Sequence, residues 1–174
     1  MTIRDRIVGQ AAVLAPLSVD QAESWTRWLN DPDTTRYLYG RRERPPSSVT
    51  LGEMVDWGRR MLADPWRLAV AIEDPASAAV IGNARLVPMA GRRARFSILI
   101  GEATHRGRGL GTDATRLTCT LGFRLMGVRE IVLDVDPRNK PAVGAYLRAG
   151  FEPGRGDSMR LVAPRAGASV ARSV

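Results

Sequence analysis

The chain has one cysteine, Cys119, one histidine, His105, and one lysine, Lys140, in 174 residues. A lone thiol closes no internal disulfide, and one thiol with one imidazole cannot build a Cys/His zinc site, so no metal is expected. Long apolar runs are also missing: none approaches the roughly 18 residues that a membrane helix needs. Arg4 and Arg6 do precede a partly apolar stretch from Ile7 to Leu17. Gln10 and Pro16 interrupt it and no small-residue cleavage site follows, which argues against a signal peptide. A soluble, cytoplasmic protein without a membrane partner is expected. Hydrophobic residues at 44% and charged residues at 25% place the composition near globular averages, against disorder. At roughly 150 residues per domain the length predicts one folded unit.

Net charge is +8, carried almost wholly by arginine. The arginines are scattered in short groups: Arg41, Arg42 and Arg44; Arg59 and Arg60; Arg92, Arg93 and Arg95; Arg106 and Arg108. Such a distribution favours anionic over cationic partners. No nucleic-acid-binding motif accompanies it, so a nucleic-acid module is the weaker reading of the charge.

Periodicity and breakers predict a first strand over Ala11–Leu17 and a helix over Gln21–Leu29 with Asp20 as N-cap. The stretch from Thr34 to Pro46 reads as irregular, aromatic and basic, and a second helix follows from about Thr50 to Leu62. Leu68, Val70 and Ile72 then alternate with Ala69 and Ala71. With the runs Ala79–Val87 and Arg95–Gly101 they predict an antiparallel meander. A long helix is predicted over Gly109–Met126 with Leu110, Ala114, Leu117, Leu121 and Leu125 as its apolar stripe. A strand over Arg129–Asp136, a helix from Asn139 to Ala149, and short strands near Phe151 and over Ser158–Val162 complete a domain spanning residues 1–162. Residues 163–174 read as a disordered tail.

The segment His105-Arg106-Gly107-Arg108-Gly109-Leu110-Gly111-Thr112-Asp113 lies between a strand and an amphipathic helix. A glycine-rich turn there presents backbone N–H groups at the positive end of the helix dipole, which suits an anion. The P-loop alternative lacks its Gly-Lys-Ser/Thr, and the dinucleotide fingerprint lacks a third glycine where Thr112 stands.

Arg106-Gly107-Arg108-Gly109-Leu110-Gly111 resembles the Arg/Gln-x-x-Gly-x-Gly/Ala signature of the GCN5-related N-acetyltransferase (GNAT) superfamily. Asn139-Lys140-Pro141-Ala142 and Tyr146-Leu147-Arg148-Ala149-Gly150-Phe151 resemble its second signature, Asn-x-x-Ala followed by Tyr-x-x-x-Gly-Phe. Phe96-Ser97-Ile98-Leu99-Ile100-Gly101 and Trp28-Leu29-Asn30-Asp31-Pro32 resemble the subgroup holding ribosomal-protein alanine, amino-sugar and polyamine acetyltransferases. The resemblance covers roughly Ala11 to Val162.

It implies a single-domain α/β fold: a mixed, mostly antiparallel sheet splayed between its fourth and fifth strands, with helices on both faces. It also implies acetyl-CoA as co-substrate. The backbone of Arg106, Gly107, Arg108, Gly109, Leu110, Gly111 and Thr112 would hold the pyrophosphate, and that of Leu99 and Ile100 would pair with the pantetheine arm. Asn139 would bond the cofactor, cap its helix, or do both. Tyr146 would protonate the departing thiolate; its spacing with Val143 and Leu147 equally fits a core tyrosine. The strand before the glycine turn lacks the glutamate that many relatives use as base. Glu73, Glu102 and Asp134 are the neighbouring carboxylates, and water is the alternative. Cys119 and His105 read as structural. Tyr37 and Tyr39, with Glu73, are the candidates for the acceptor pocket.

The reading is an N-acetyltransferase acting on a primary amine of a small molecule, an amino sugar or aminated biosynthetic intermediate. A peptide N-terminus, or a non-catalytic acyl-CoA-binding role, is the alternative. Monomer and homodimer both remain open.

Overall fold

Alternation of large and small residues sets the two sides of the sheet. Along Leu68–Glu73, Leu68, Val70 and Ile72 are fully buried on one face, while Ala69 and Ala71 are buried on the other. The alanines leave room for two indoles: Trp25 and Trp28 lie over that second face, 1% and 2% exposed. Each removes about 200 Å² from water, worth several kcal/mol as an upper bound.

The computed structural model describes residues 3–38 and 48–163. The strands are β1 (Ile7–Val8), β2 (Val13–Pro16), β3 (Leu68–Glu73), β4 (Val80–Met89), β5 (Arg93–Ile100), β6 (Glu130–Asp134), β7 (Glu152–Pro153) and β8 (Ser158–Val162). The helices are α1 (Ala22–Leu29), α2 (Pro32–Thr35), α3 (Leu51–Ala63), α4 (Leu110–Leu125) and α5 (Lys140–Arg148). The strands form one open sheet in the order β1-β2-β3-β4-β5-β6-β8-β7, antiparallel except for the β5–β6 pair. One core packs α4 and α5 against Leu14, Val70, Ile81, Leu86 and Phe96; the other packs α1 and α3 against Ala15, Ala69 and Ala71. The fold is the expected single-domain α/β architecture with helices on both faces. No described helix is long and apolar enough to cross a membrane.

Several local expectations change. The short strand β1 was not anticipated, because two residues carry no readable period, and it moves the splay to the fifth and sixth strands. The first helix is preceded by a single 3₁₀ turn capped by Ser18, whose hydroxyl accepts the Asp20 N–H; Asp20 is not the cap. At the start of the segment read as irregular, Thr34 and Thr35 belong to a helical turn, Pro32–Thr35, capped by Asp31. Residues 39–47, with Tyr39, Arg41, Arg42 and Arg44, and residues 164–174 of the expected tail lie outside the described residues. Thr50 and Glu53 open α3 with a reciprocal capping box.

The expected stripe of α4 is buried only in part: Leu110 and Ala114 are in the core, and the rest of the buried face is made of small residues. Ala114, Thr115, Thr118, Cys119 and Gly122 face the sheet, Leu117 and Leu121 are half-buried, and Leu125 is exposed. Small residues let the helix lie close on Leu86 and Ile131, and Thr115 and Thr118 satisfy their hydroxyls on the carbonyls of Gly111 and Ala114. In the first turn of α4 the buried Asp113 carboxylate accepts the Ala11 and Ala12 N–H groups at 2.7 and 3.0 Å, tying the start of β2 to the helix. Asp113→Ala strands two backbone donors, one buried and one partly buried. It is expected to lower stability by about 2 kcal/mol, measured by urea denaturation.

Candidate functional site

The β5–β6 pair holds for three residues only, Arg93↔Glu130, Ala94↔Ile131 and Arg95↔Val132. Beyond Arg95 the strands part and leave a cleft bordered by Phe96–Ile100 on one side. The Gly101 N–H bonds back to Ile81 and the Leu99 carbonyl lies against Gly82, so both point toward β4. Strand alternation then turns the backbone groups of Ile98 and Ile100 toward the cleft. Of the two residues expected to meet a pantetheine arm, Ile100 has its backbone there. The Leu99 side chain lines a pocket on the α1/α3 side.

The chain leaves β5 through a single 3₁₀ turn, Ala103–His105, and enters the glycine turn. Gly107 and Gly109 have φ of +77° and +83°, the left-handed region that side chains rarely adopt. Gly109 is the N-cap of α4 and provides no side-chain cap. The amides of Leu110, Gly111 and Thr112 therefore start a helix of 16 residues without intrahelical acceptors. A Cβ placed on Gly107 or Gly109 would meet nothing within 4 Å. Open space before a row of free amides fits a pyrophosphate.

The arginine side chains divide. Arg106 turns inward: it donates to the carbonyls of Ile100 and Gly101, both at 3.1 Å, and to Thr34 Oγ1 at 2.6 Å. It fastens α2 to the end of β5, leaving only its backbone at the turn. Arg108 is half exposed and stands 3.7 Å from Asp74. Asp74 is buried, accepts from Ser77 N–H and Oγ–H, and faces His105 Nε2 at 3.9 Å. The Ser77 hydroxyl bond, opposed by burial and aided by Arg108 and His105, holds Asp74 below its ordinary range.

None of the three carboxylates considered as base is free. Glu73 pairs with Arg6, and Asp134 with Arg95. Glu102 accepts the Trp28 indole N–H at 2.8 Å and pairs with Arg27. The Trp28 bond, against desolvation and with help from Arg27, lowers the Glu102 carboxyl from 4.5. It anchors α1 to the end of β5, where the Trp28 ring lies directly on Gly101; any side chain at 101 would collide with it.

On the far side of the splay, Asn139 caps α5, accepting the Ala142 N–H at 3.2 Å. Tyr146, on the inner face of α5, is 9% exposed and packs edge-on against Phe96 of β5 and obliquely on Phe151. Its hydroxyl has no hydrogen-bond partner among the described residues. Burial, with a smaller contribution from Cys119, pushes the phenol up to about 12, so it is protonated at neutral pH. Burial likewise raises the Cys119 thiol, which is an inert core group. Tyr37, after α2, receives the Arg138 guanidinium 6.0 Å above its ring, joining the two sides of the splay.

Sequence reasoning missed one group. A pocket of about 320 Å³ opens between α1, α3 and the sheet, and Asn83 and Arg85 of β4 and Ser97 of β5 enter it. Their alternation with Ala84 and Leu86 was the available signal, but alternation alone reads as a solvent face.

Comparison with known proteins follows this geometry. A family model described as an acetyltransferase (GNAT) domain matches residues 12–152. A spermidine N(1)-acetyltransferase of Escherichia coli K12 is 37% identical over 60 residues, 34% of this chain. That match spans 32% of the relative, about a third of its length. A GNAT-family acetyltransferase structure from Bacillus anthracis superposes with a TM-score of 0.74 at 13% identity, over 91% of this chain and 98% of that one. A spermidine N-acetyltransferase from Vibrio cholerae, in complex with CoA and spermine, superposes at 0.73 with 21% identity, over 87% and 95%.

Proposed function

Because the chain belongs to the GNAT acetyltransferase family over residues 12–152, we propose that it transfers an acetyl group from acetyl-CoA to the primary amine of a small molecule. The observation that carries this reading is the uncapped N-terminus of α4, opened by Gly107 and Gly109 beside the β5–β6 splay. Backbone amides from Arg106 to Thr112 hold the pyrophosphate, and the cleft edge at Ile98 and Ile100 receives the pantetheine arm. Bound there, acetyl-CoA supplies a thioester for the amine to attack.

Tyr146 supplies the hydrogen bond to the sulfur as the C–S bond breaks. With its phenol near 12 and an alkyl thiol near 8.5, Tyr146 is the weaker acid. It therefore stabilises the thiolate by donation, and the proton released by the amine completes the thiol. No described carboxylate lines the pocket, so an ammonium loses its first proton to water before attack, or the amine enters as the free base, and the proton released once the C–N bond has formed passes through water to the thiolate. The Trp28–Glu102 and Arg106–Thr34 bonds hold the α1–α2 side against β5 and keep the cleft edge in place. The acceptor is an amine on a neutral or anionic scaffold, such as an amino sugar or an aminated biosynthetic intermediate.

Acetyl-CoA-dependent thiol release over a panel of amino sugars, diamines, an aminoglycoside and short peptides tests the reading. Turnover of at least one small amine above the hydrolytic background is expected. Turnover of peptides alone would transfer the assignment to protein N-termini, and binding of acetyl-CoA without any turnover would make the chain a non-catalytic binder.

A further inference from the structure

The pocket between α1, α3 and the sheet contains a guanidinium that the acetyl-transfer chemistry does not use. Arg85 stands on β4 opposite Ser97 of β5, so both project from the same face. Its Nε–H donates to Ser97 Oγ at 2.8 Å and its plane lies 5.7 Å from the Trp57 ring centroid. Among the described residues no carboxylate pairs with it, and its terminal amino groups have no acceptor. Burial, and behind it the neighbouring Arg67, disfavour its charged form, yet a guanidinium keeps its proton. A half-buried charge held in this way by a hydroxyl and a ring, with both ends of its fork unpaired among the described residues, is placed to bind an anion.

The remaining polar lining is uncharged. The side chain of Asn83, two residues along β4 and on the same face, has no hydrogen-bond partner among the described residues. The Trp25 indole N–H is buried and unpaired. The polar side chains that line the space are those of Asn83, Arg85 and Ser97, and no described carboxylate lines it. A polyamine would bring cations to a pocket that already contains one.

We infer that Arg85 reads an anionic group on the acceptor, and that the amine acetylated by this chain carries a carboxylate or a phosphate. This rests on the acetyl-transfer reading above and narrows its substrate class. Arg85 fixes specificity from the sheet itself. Its fork binds the anion while the amine end of the same molecule lies toward Leu99, beside the cleft edge. The pocket volume suits a molecule of amino-acid or amino-sugar size.

The test compares matched amines that differ in charge alone: 4-aminobutanoate with 4-aminobutanamide, and 2-aminoethyl phosphate with ethanolamine, with spermine as the cationic reference. For the wild-type chain, kcat/KM for an anionic member is expected to exceed that of its neutral mate by at least tenfold. Which pair shows it tells carboxylate from phosphate. Arg85→Gln should bring the ratio to about one, chiefly through KM. Arg85→Lys should recover part of it, because a point charge replaces the fork. Equal rates within both pairs, or a preference for spermine, would overturn the inference and leave acetyl transfer standing. Acetyl-CoA binding by calorimetry without CoA release above background for any amine of the panel would remove the acetyl-transfer reading and this inference with it. If Arg85→Gln does not fold, the wild-type ratios and Arg85→Lys decide.

Discussion

Tyr146→Phe is expected to lower kcat by about 10²-fold, with little change in KM for acetyl-CoA and no loss of thermal stability. The combination follows from the surroundings of the hydroxyl. A buried tyrosine kept for packing ordinarily bonds its O–H to a neighbour. This one has ring contacts to Phe96 and Phe151 but no partner for the oxygen among the described residues. Phenylalanine preserves those ring contacts, so the melting temperature should hold. On the proposed role, what is lost is one donor to charge that develops only as the sulfur departs, and removal of such a donor costs roughly 10²–10³ in rate. The measurement is kcat in the thiol-release assay alongside a thermal melt, under conditions where chemistry limits turnover. Full activity in a stable variant would return Tyr146 to the core.

Gly109→Val should raise the Kd for CoA at least tenfold, which corresponds to about 1.4 kcal/mol. Two effects act together. Valine is β-branched and would have to hold φ near +83°, a strain on the order of 1–3 kcal/mol that the chain relieves by reshaping the turn. Its side chain would also project into the open space before the Leu110, Gly111 and Thr112 amides, where nothing lies within 4 Å of a Cβ. Isothermal calorimetry with CoA reads the affinity. Gly109→Ala serves as the milder companion, keeping most of the strain while removing most of the bulk. Unchanged CoA affinity in a folded Gly109→Val variant would sink the pyrophosphate assignment.

The glycine turn and its helix were legible because both signals are local. Glycines at 107, 109 and 111 ahead of an amphipathic segment announce a turn and a helix N-terminus whatever packs around them. Asn139 ahead of Lys140-Pro141 is a cap by the same logic. The face that α4 buries was not legible. Leucines dominate any hydrophobic count, yet beyond the buried Leu110 close approach to Leu86 and Ile131 selects the smaller side chains, and Leu117, Leu121 and Leu125 pack around the margin or reach solvent. The ends of β6 were also misjudged: the apolar alternation runs on to Val135, while pairing with β8 stops at Asp134.

The sequence by itself determined the succession of strands and helices, the two-sided sheet and the helix terminus at Gly109, because periodicity, caps and backbone freedom reside in neighbouring residues. Only the tertiary structure decided what each charged group meets. It turned Arg106 away from the glycine turn onto Ile100, Gly101 and Thr34, and engaged Glu73, Glu102 and Asp134 with arginines distant in the chain. It also roofed Asn83 and Arg85 with α1 and α3, making a pocket of what alternation reads as a solvent face. Charge pairing and burial depend on distances between segments far apart in sequence, and those distances come into being only when the sheet and its helices close on one another.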